Sequence, residues 1–135
     1  MKSDIKTRAD IELLVKSFYE KLLIDPLVGH IFTSVARVNL EKHLPVMFDF
    51  WENALFYTGG YTGNPMKMHE ALNRLYPLEE AHFKQWVSLF VSTVDALFEG
   101  EKAALAKQRA ISISEVMQIK ILHKNYSQPN PGNSD

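Results

Sequence analysis

Apolar side chains recur along this chain with the period of an α-helix. Ile11, Leu14, Val15, Phe18, Tyr19 and Leu22 stand at i, i+3, i+4, i+7, i+8 and i+11, which predicts a helix from about Thr7 to Ile24. Thr7 with Asp10 three residues on resembles a capping box, with aspartate in place of the usual glutamate. Asp25-Pro26 ends this helix and can open a short one carrying Ile31 and Phe32, because proline is disfavoured inside a helix but suits its first position. Asn39 can cap a third helix that turns Met47, Phe50, Trp51, Ala54 and Leu55 inward and stops at Gly59-Gly60.

Tyr61 to Asn64 reads as a loop, and Pro65 opens a weakly amphipathic helix that Pro77 limits to about ten residues. Leu78 to Glu99 is predicted as a long helix, with Glu79 and Glu80 in its first turn and Phe83, Trp86, Val87, Phe90, Val94, Leu97 and Phe98 on its apolar face. Gly100 breaks it. Ala103, Ala106, Ala110, Ile113 and Met117 form a further stripe whose small residues let a neighbouring helix approach closely. The pattern therefore predicts one all-α domain over residues 1–126. The polar tail 127–135, with two prolines and a glycine, is expected to be disordered.

Composition narrows the function. At 135 residues, 46% apolar and 23% charged, the chain has the make-up of one ordinary globular domain. A net charge of −1, from 15 basic and 16 acidic residues with no basic run, gives no footprint for nucleic acid or an anionic membrane. The absence of cysteine excludes disulfides, thiol chemistry and iron–sulfur ligation. No signal-peptide core is present and no apolar run approaches the ~18 residues of a membrane span, so a cytoplasmic location is expected.

Four polar-tipped residues stand out. Tyr19, His43 and Trp86 lie on or beside apolar stripes, and His69 lies on the short segment opened by Asn64-Pro65. Burying such groups without partners is costly, and a bound cofactor would supply partners. A histidine to hold a metal, with a phenol, an imidazole and an indole on the other side, is what a haem pocket with a polar ligand-binding face requires. Taken singly, each residue has a plainer reading. Tyr19 is core with a hydroxyl that reaches the surface or a carbonyl, Trp86 is core, and His69 is a loop histidine. Pro45 clashes with the Glu41 carbonyl in a continuous helix, which leaves His43 at or before the helix cap on a hinge, as readily exposed as buried. His30, His82 and His123 are read as surface residues. A di-iron carboxylate bundle needs two Glu-x-x-His pairs, and only Glu79 with His82 is found. A non-catalytic helical interaction module explains the stripes but not why Tyr19 and His43 lie on or near them.

The order of motifs points to one family. Phe18-Tyr19-Glu20-Lys21, Ile31-Phe32, His43 eight residues before Trp51, Tyr61-x-Gly63-x-Pro65 leading to His69, and His82-Phe83-x-x-Trp86-x-x-Leu89-Phe90 resemble the truncated haemoglobins, and more narrowly their third group. The resemblance spans Ile11 to Met117 and implies a globin-like two-over-two helical sandwich holding haem b. It matches His69 to the proximal iron ligand, Tyr19 and Trp86 to the polar distal lining, His43 to the distal histidine and Phe32 to the aromatic wedged against the porphyrin. Met47, Phe50, Trp51 and Leu72 are then apolar haem-contacting walls, while Lys42, Lys67 and Arg109 are guesses for the propionate partner. The diatomic gases O2, NO and CO are the implied ligands. Hydrogen bonds from Tyr19 and Trp86 would slow oxygen release, which suits O2/NO or peroxide chemistry, fed by a reductase, better than bulk transport. Nitric-oxide dioxygenation and peroxidase-like turnover are both left open, and a monomer or weak dimer is expected.

Overall fold

A computed structural model of the chain describes residues 2–31, 40–57 and 78–127, with side chains described as far as Ile119. Among them are four helices, α1 (Arg8–Leu23), α2 (Leu40–Phe56), α3 (Glu80–Leu97) and α4 (Glu101–Ser127), and no strand. Phe32, the predicted helix end at Gly59-Gly60, the whole Pro65 segment with Lys67, His69 and Leu72, and the tail after Ser127 lie outside the described residues.

The Thr7 capping box forms as the residue types suggest. Thr7 Oγ1 accepts the Asp10 amide at 3.3 Å, and the Asp10 carboxylate accepts the Thr7 amide at 3.1 Å and the Lys6 amide at 2.8 Å. All six residues of the predicted α1 stripe are buried. α1 packs against α2 and α3, and α4 packs against α3 and α2, so the four helices close a two-layered frame. Its centre is aromatic. Trp51 of α2 stacks on Phe90 of α3 with ring centroids 4.6 Å apart, while Phe18 of α1 meets Phe90 edge-on at 5.3 Å. Ala103, Ala106 and Ala110 are buried, which lets α4 approach its neighbours closely.

Three contacts tie distant parts of the chain together. The Asp4 carboxylate accepts the amides of Lys102 at 2.9 Å and Ala103 at 2.8 Å, capping the start of α4 from the other end of the sequence. Ser3 reinforces the junction by accepting the Glu99 amide at 3.0 Å. At this corner Gly100 has φ 144°, and a Cβ there would meet the Asp4 side chain at 2.5 Å. Arg8 bridges α1 to α2 through Asp49 at 2.7 Å and Glu52 at 3.0 Å. Lys102 donates to the Leu55 carbonyl at 2.8 Å and lies over the rings of Phe56 and Tyr57, closing the C-terminal end of α2.

Two expectations are corrected. Helix α2 runs through Pro45 without a break, so His43 stands inside the helix and is buried rather than on a hinge before its cap. Burial of Phe48, Trp51 and Leu55 along α2 outweighs the ~3 kcal/mol that an interior proline costs. His82 is buried rather than superficial, and its Nδ1 accepts the Glu79 amide at 2.9 Å at the start of α3. The Glu79–His82 pair that suggested a metal-binding helix thus closes a helix end.

Candidate functional site at the junction of three helices

Helices α1, α2 and α3 meet around Phe18. Tyr19 extends from the buried face of α1, His43 from the first turn of α2, and Trp86 from α3 about one turn before Phe90. The Phe18 ring lies edge-on to Tyr19 at 5.4 Å and to Trp86 at 5.7 Å, and the Trp86 indole stacks along Phe90 at 5.9 Å. Tyr19 and Trp86 thus share the Phe18 ring, and His43 joins them through Tyr19.

The closest polar contact in this group joins Tyr19 to His43. The phenol oxygen lies 2.6 Å from His43 Nε2, the two rings are perpendicular with centroids 5.3 Å apart, and each residue is only 7% exposed. Sequence reasoning sought the missing partner of each group in a cofactor, whereas the two satisfy one another. Among the described residues no buried side-chain polar atom is left without a partner. Tyr19 makes its one polar contact here, so a phenol proton pointing anywhere but at Nε2 would be stranded among apolar rings. The phenol therefore donates and Nε2 accepts. Burial also pushes the phenol pKa far above its ordinary range, which keeps the hydroxyl protonated.

The apolar residues of α2 divide into two stripes. Phe48, Trp51 and Leu55, led by Leu44, point into the core, whereas Met47, Phe50 and Ala54 continue the line of His43 and are half-buried. Trp86 is half-buried as well. Phe48 was missing from the predicted inward set, although its position four after Leu44 and three before Trp51 carries the helical signal. Trp51, expected as a cofactor wall, is 4% exposed and spends one face of its ring on Phe90. A second polar anchor was not foreseen. The Asp25 carboxylate accepts the amides of Leu27 at 2.9 Å and Val28 at 3.0 Å and the Gln85 side chain at 2.7 Å, fixing the turn after α1 to the residue beside Trp86. Partial burial opposes ionisation of Asp25, but Gln85 and the two amides win and hold its carboxyl below the usual carboxylate range.

An apolar half-buried stripe headed by a phenol–imidazole pair fits one side of a flat, largely apolar cofactor that carries a polar ligand at its centre. Among the described residues no group of three histidine or acidic side chains is arranged to hold a bare metal ion, and no helix is long and apolar enough to cross a membrane.

No family model matches the chain. A group 3 truncated hemoglobin of Campylobacter jejuni is 29% identical over 121 residues, which cover 87% of this chain and 93% of that protein. The crystal structure of the group III truncated hemoglobin from Campylobacter jejuni matches the fold with a TM-score of 0.76 at 27% identity, covering 90% of this chain and 95% of that one. The likeness in sequence and in fold extends over nearly the full length of both chains, and the protein is similar throughout to a group III truncated haemoglobin.

Proposed function

We propose that the protein is a haem b globin that binds diatomic gases and turns them over in the cytoplasm rather than carrying oxygen in bulk. The observation that supports this best is the buried Tyr19–His43 hydrogen bond beside a half-buried apolar stripe. When bound, ferrous haem supplies an open iron position that takes O2, NO or CO. The chain supplies the rest. His69 is the proximal ligand on this reading, Phe32, Met47, Phe50 and Leu72 line the porphyrin, and Trp51 backs the wall through Phe90. Tyr19 is the principal hydrogen-bond donor to a polar ligand and Trp86 the second. His43 holds the Tyr19 hydroxyl in place until a ligand competes for it.

A buried donor next to an apolar wall strengthens a hydrogen bond to a ligand with partial negative charge and slows its release. That favours reaction of the ligand, by nitric-oxide dioxygenation or peroxide reduction with electrons from a reductase, over transport. The deciding measurement is the visible spectrum of the protein expressed with haem available, reduced and exposed to CO. A Soret band of a histidine-ligated ferrous–CO haem is expected, lost in His69→Ala and retained in His123→Ala. A colourless, fully folded wild-type protein from haem-replete cells would refute the reading.

A further inference from the structure

The Tyr19–His43 contact has the geometry of a redox pair as well as of a ligand-binding one. A buried phenol cannot lose an electron alone, because the phenol radical cation is a strong acid in a medium that solvates charge poorly. Oxidation requires the proton to leave with the electron, and the acceptor must already be in contact. His43 Nε2 lies 2.6 Å from the phenol oxygen, with Nε2 unprotonated in the donor arrangement. The product, a neutral phenoxyl beside an imidazolium, would be sheltered by the edge of Phe18 and by the low exposure of both residues.

We propose that Tyr19 is a redox-active tyrosine, oxidised by one electron to a neutral phenoxyl radical while His43 Nε2 takes the proton. The O–H bond breaks and an N–H bond forms at His43. The oxidant is a hydroperoxide, which consumes two electrons and two protons to give an alcohol, or water from hydrogen peroxide itself, together with a second water. Tyr19 supplies one electron and the cofactor the other, while solvent supplies both protons. A small exogenous reductant then returns one electron to Tyr19 as His43 gives back its proton, and a second equivalent of the reductant restores the cofactor. Trp86, 5.7 Å from Phe18 and half-buried, gives the radical a route toward solvent. The hydroperoxide route rests on the haem reading above, whereas the proton coupling between Tyr19 and His43 does not.

The test is electron paramagnetic resonance of the haem-loaded protein, frozen within milliseconds of mixing with hydrogen peroxide. A tyrosyl spectrum is expected, narrowed by ring-deuterated tyrosine, lost in Tyr19→Phe and retained in Tyr57→Phe, whose phenol is 69% exposed. His43→Gln keeps a polar group but not a base, so it should lose the signal, and external imidazole should restore it in His43→Ala. A second arm oxidises the protein without haem by photogenerated tris(bipyridyl)ruthenium(III), where formation of the radical should slow in D2O for wild type. Absence of a Soret band in the loaded protein would defeat the haem reading while the ruthenium arm still tests the pair. An unchanged radical in Tyr19→Phe, or an equal yield in His43→Gln, overturns the proposal.

Discussion

Two residues show how much hangs on single atoms. Removing the Tyr19 hydroxyl leaves its ring in the Phe18 contact but takes away the partner of a buried imidazole nitrogen. On the proposed function Tyr19→Phe should speed oxygen dissociation roughly ten- to a hundred-fold, since a buried hydrogen bond to a strongly polar partner is worth about 1.5–3 kcal/mol. Dissociation of the less polar CO should change far less. Stopped-flow mixing measures both rates, and an unchanged oxygen rate would move the donor role to His43. Gly29 is a purely structural counterpart. A Cβ there would lie 2.5 Å from the Leu23 carbonyl oxygen and 2.9 Å from its carbon, both of them backbone atoms at the end of α1 that cannot swing aside. Gly29→Ala should therefore destabilise the fold by about 1–3 kcal/mol, the usual cost of overpacking, seen as a lower urea midpoint with unchanged slope.

At the scale of the element, helix α2 carries an internal proline without breaking. The penalty remains as missing stability, so Pro45→Ala should raise the urea midpoint by restoring the amide that Glu41 O would accept in an unbroken helix. Helix α4 is held from outside itself. Partial burial raises the Asp4 pKa, but the amides of Lys102, Ala103 and Ile5 outweigh it and hold the carboxyl below its ordinary value of 3.8. A depressed native pKa means that this stabilisation is fully present above the unfolded value and disappears as pH falls through the native one. Asp4→Asn, which loses the charge and one of the two acceptor oxygens, should cost about 1–2 kcal/mol at pH 7 and nothing at a pH below both values. Equal acid dependence of the midpoint in wild type and variant would show that Asp4 is not the group responsible. These two helices also mark what the sequence makes legible. Local signals carry, because the stripe of α1 and the Thr7–Asp10 box depend on neighbours within a turn or two. The Asp4 cap joins groups 98 and 99 residues apart, and no local pattern encodes it. His43 was misplaced because Pro45 is a strong local signal that tertiary burial overrides. His82 was misread because a histidine that caps through Nδ1 looks, in sequence, like any exposed one. Tyr19, His43 and Trp86 were picked out one by one, but only the packing of α1, α2 and α3 around Phe18 reveals that two of them are each other's partners.

At the scale of the whole molecule, the frame of the four described helices has a core built on Phe18, Trp51 and Phe90, with a half-buried apolar stripe left on α2. A cofactor seated there adds to stability only through its preference for the folded chain. Haem binding should therefore raise the unfolding midpoint in proportion to the logarithm of free haem, reaching about 4 kcal/mol at a thousand times its dissociation constant. On the proposed function, His69→Ala should lose most of the increment, because the iron–imidazole bond would be gone. Asp4→Asn should do the reverse. Its bonds to the start of α4 share no partner with Tyr19, His43 or Trp86, so it should lower the stability of the cofactor-free and haem-loaded forms by the same amount, within the few tenths of a kcal/mol expected for independent sites. Denaturant titrations of the three proteins with and without haemin separate these terms. A haem increment in His69→Ala equal to that of wild type would place the iron ligand elsewhere. An increment that shrank in Asp4→Asn would mean that the corner between α3 and α4 and the cofactor pocket open together, as one cooperative unit.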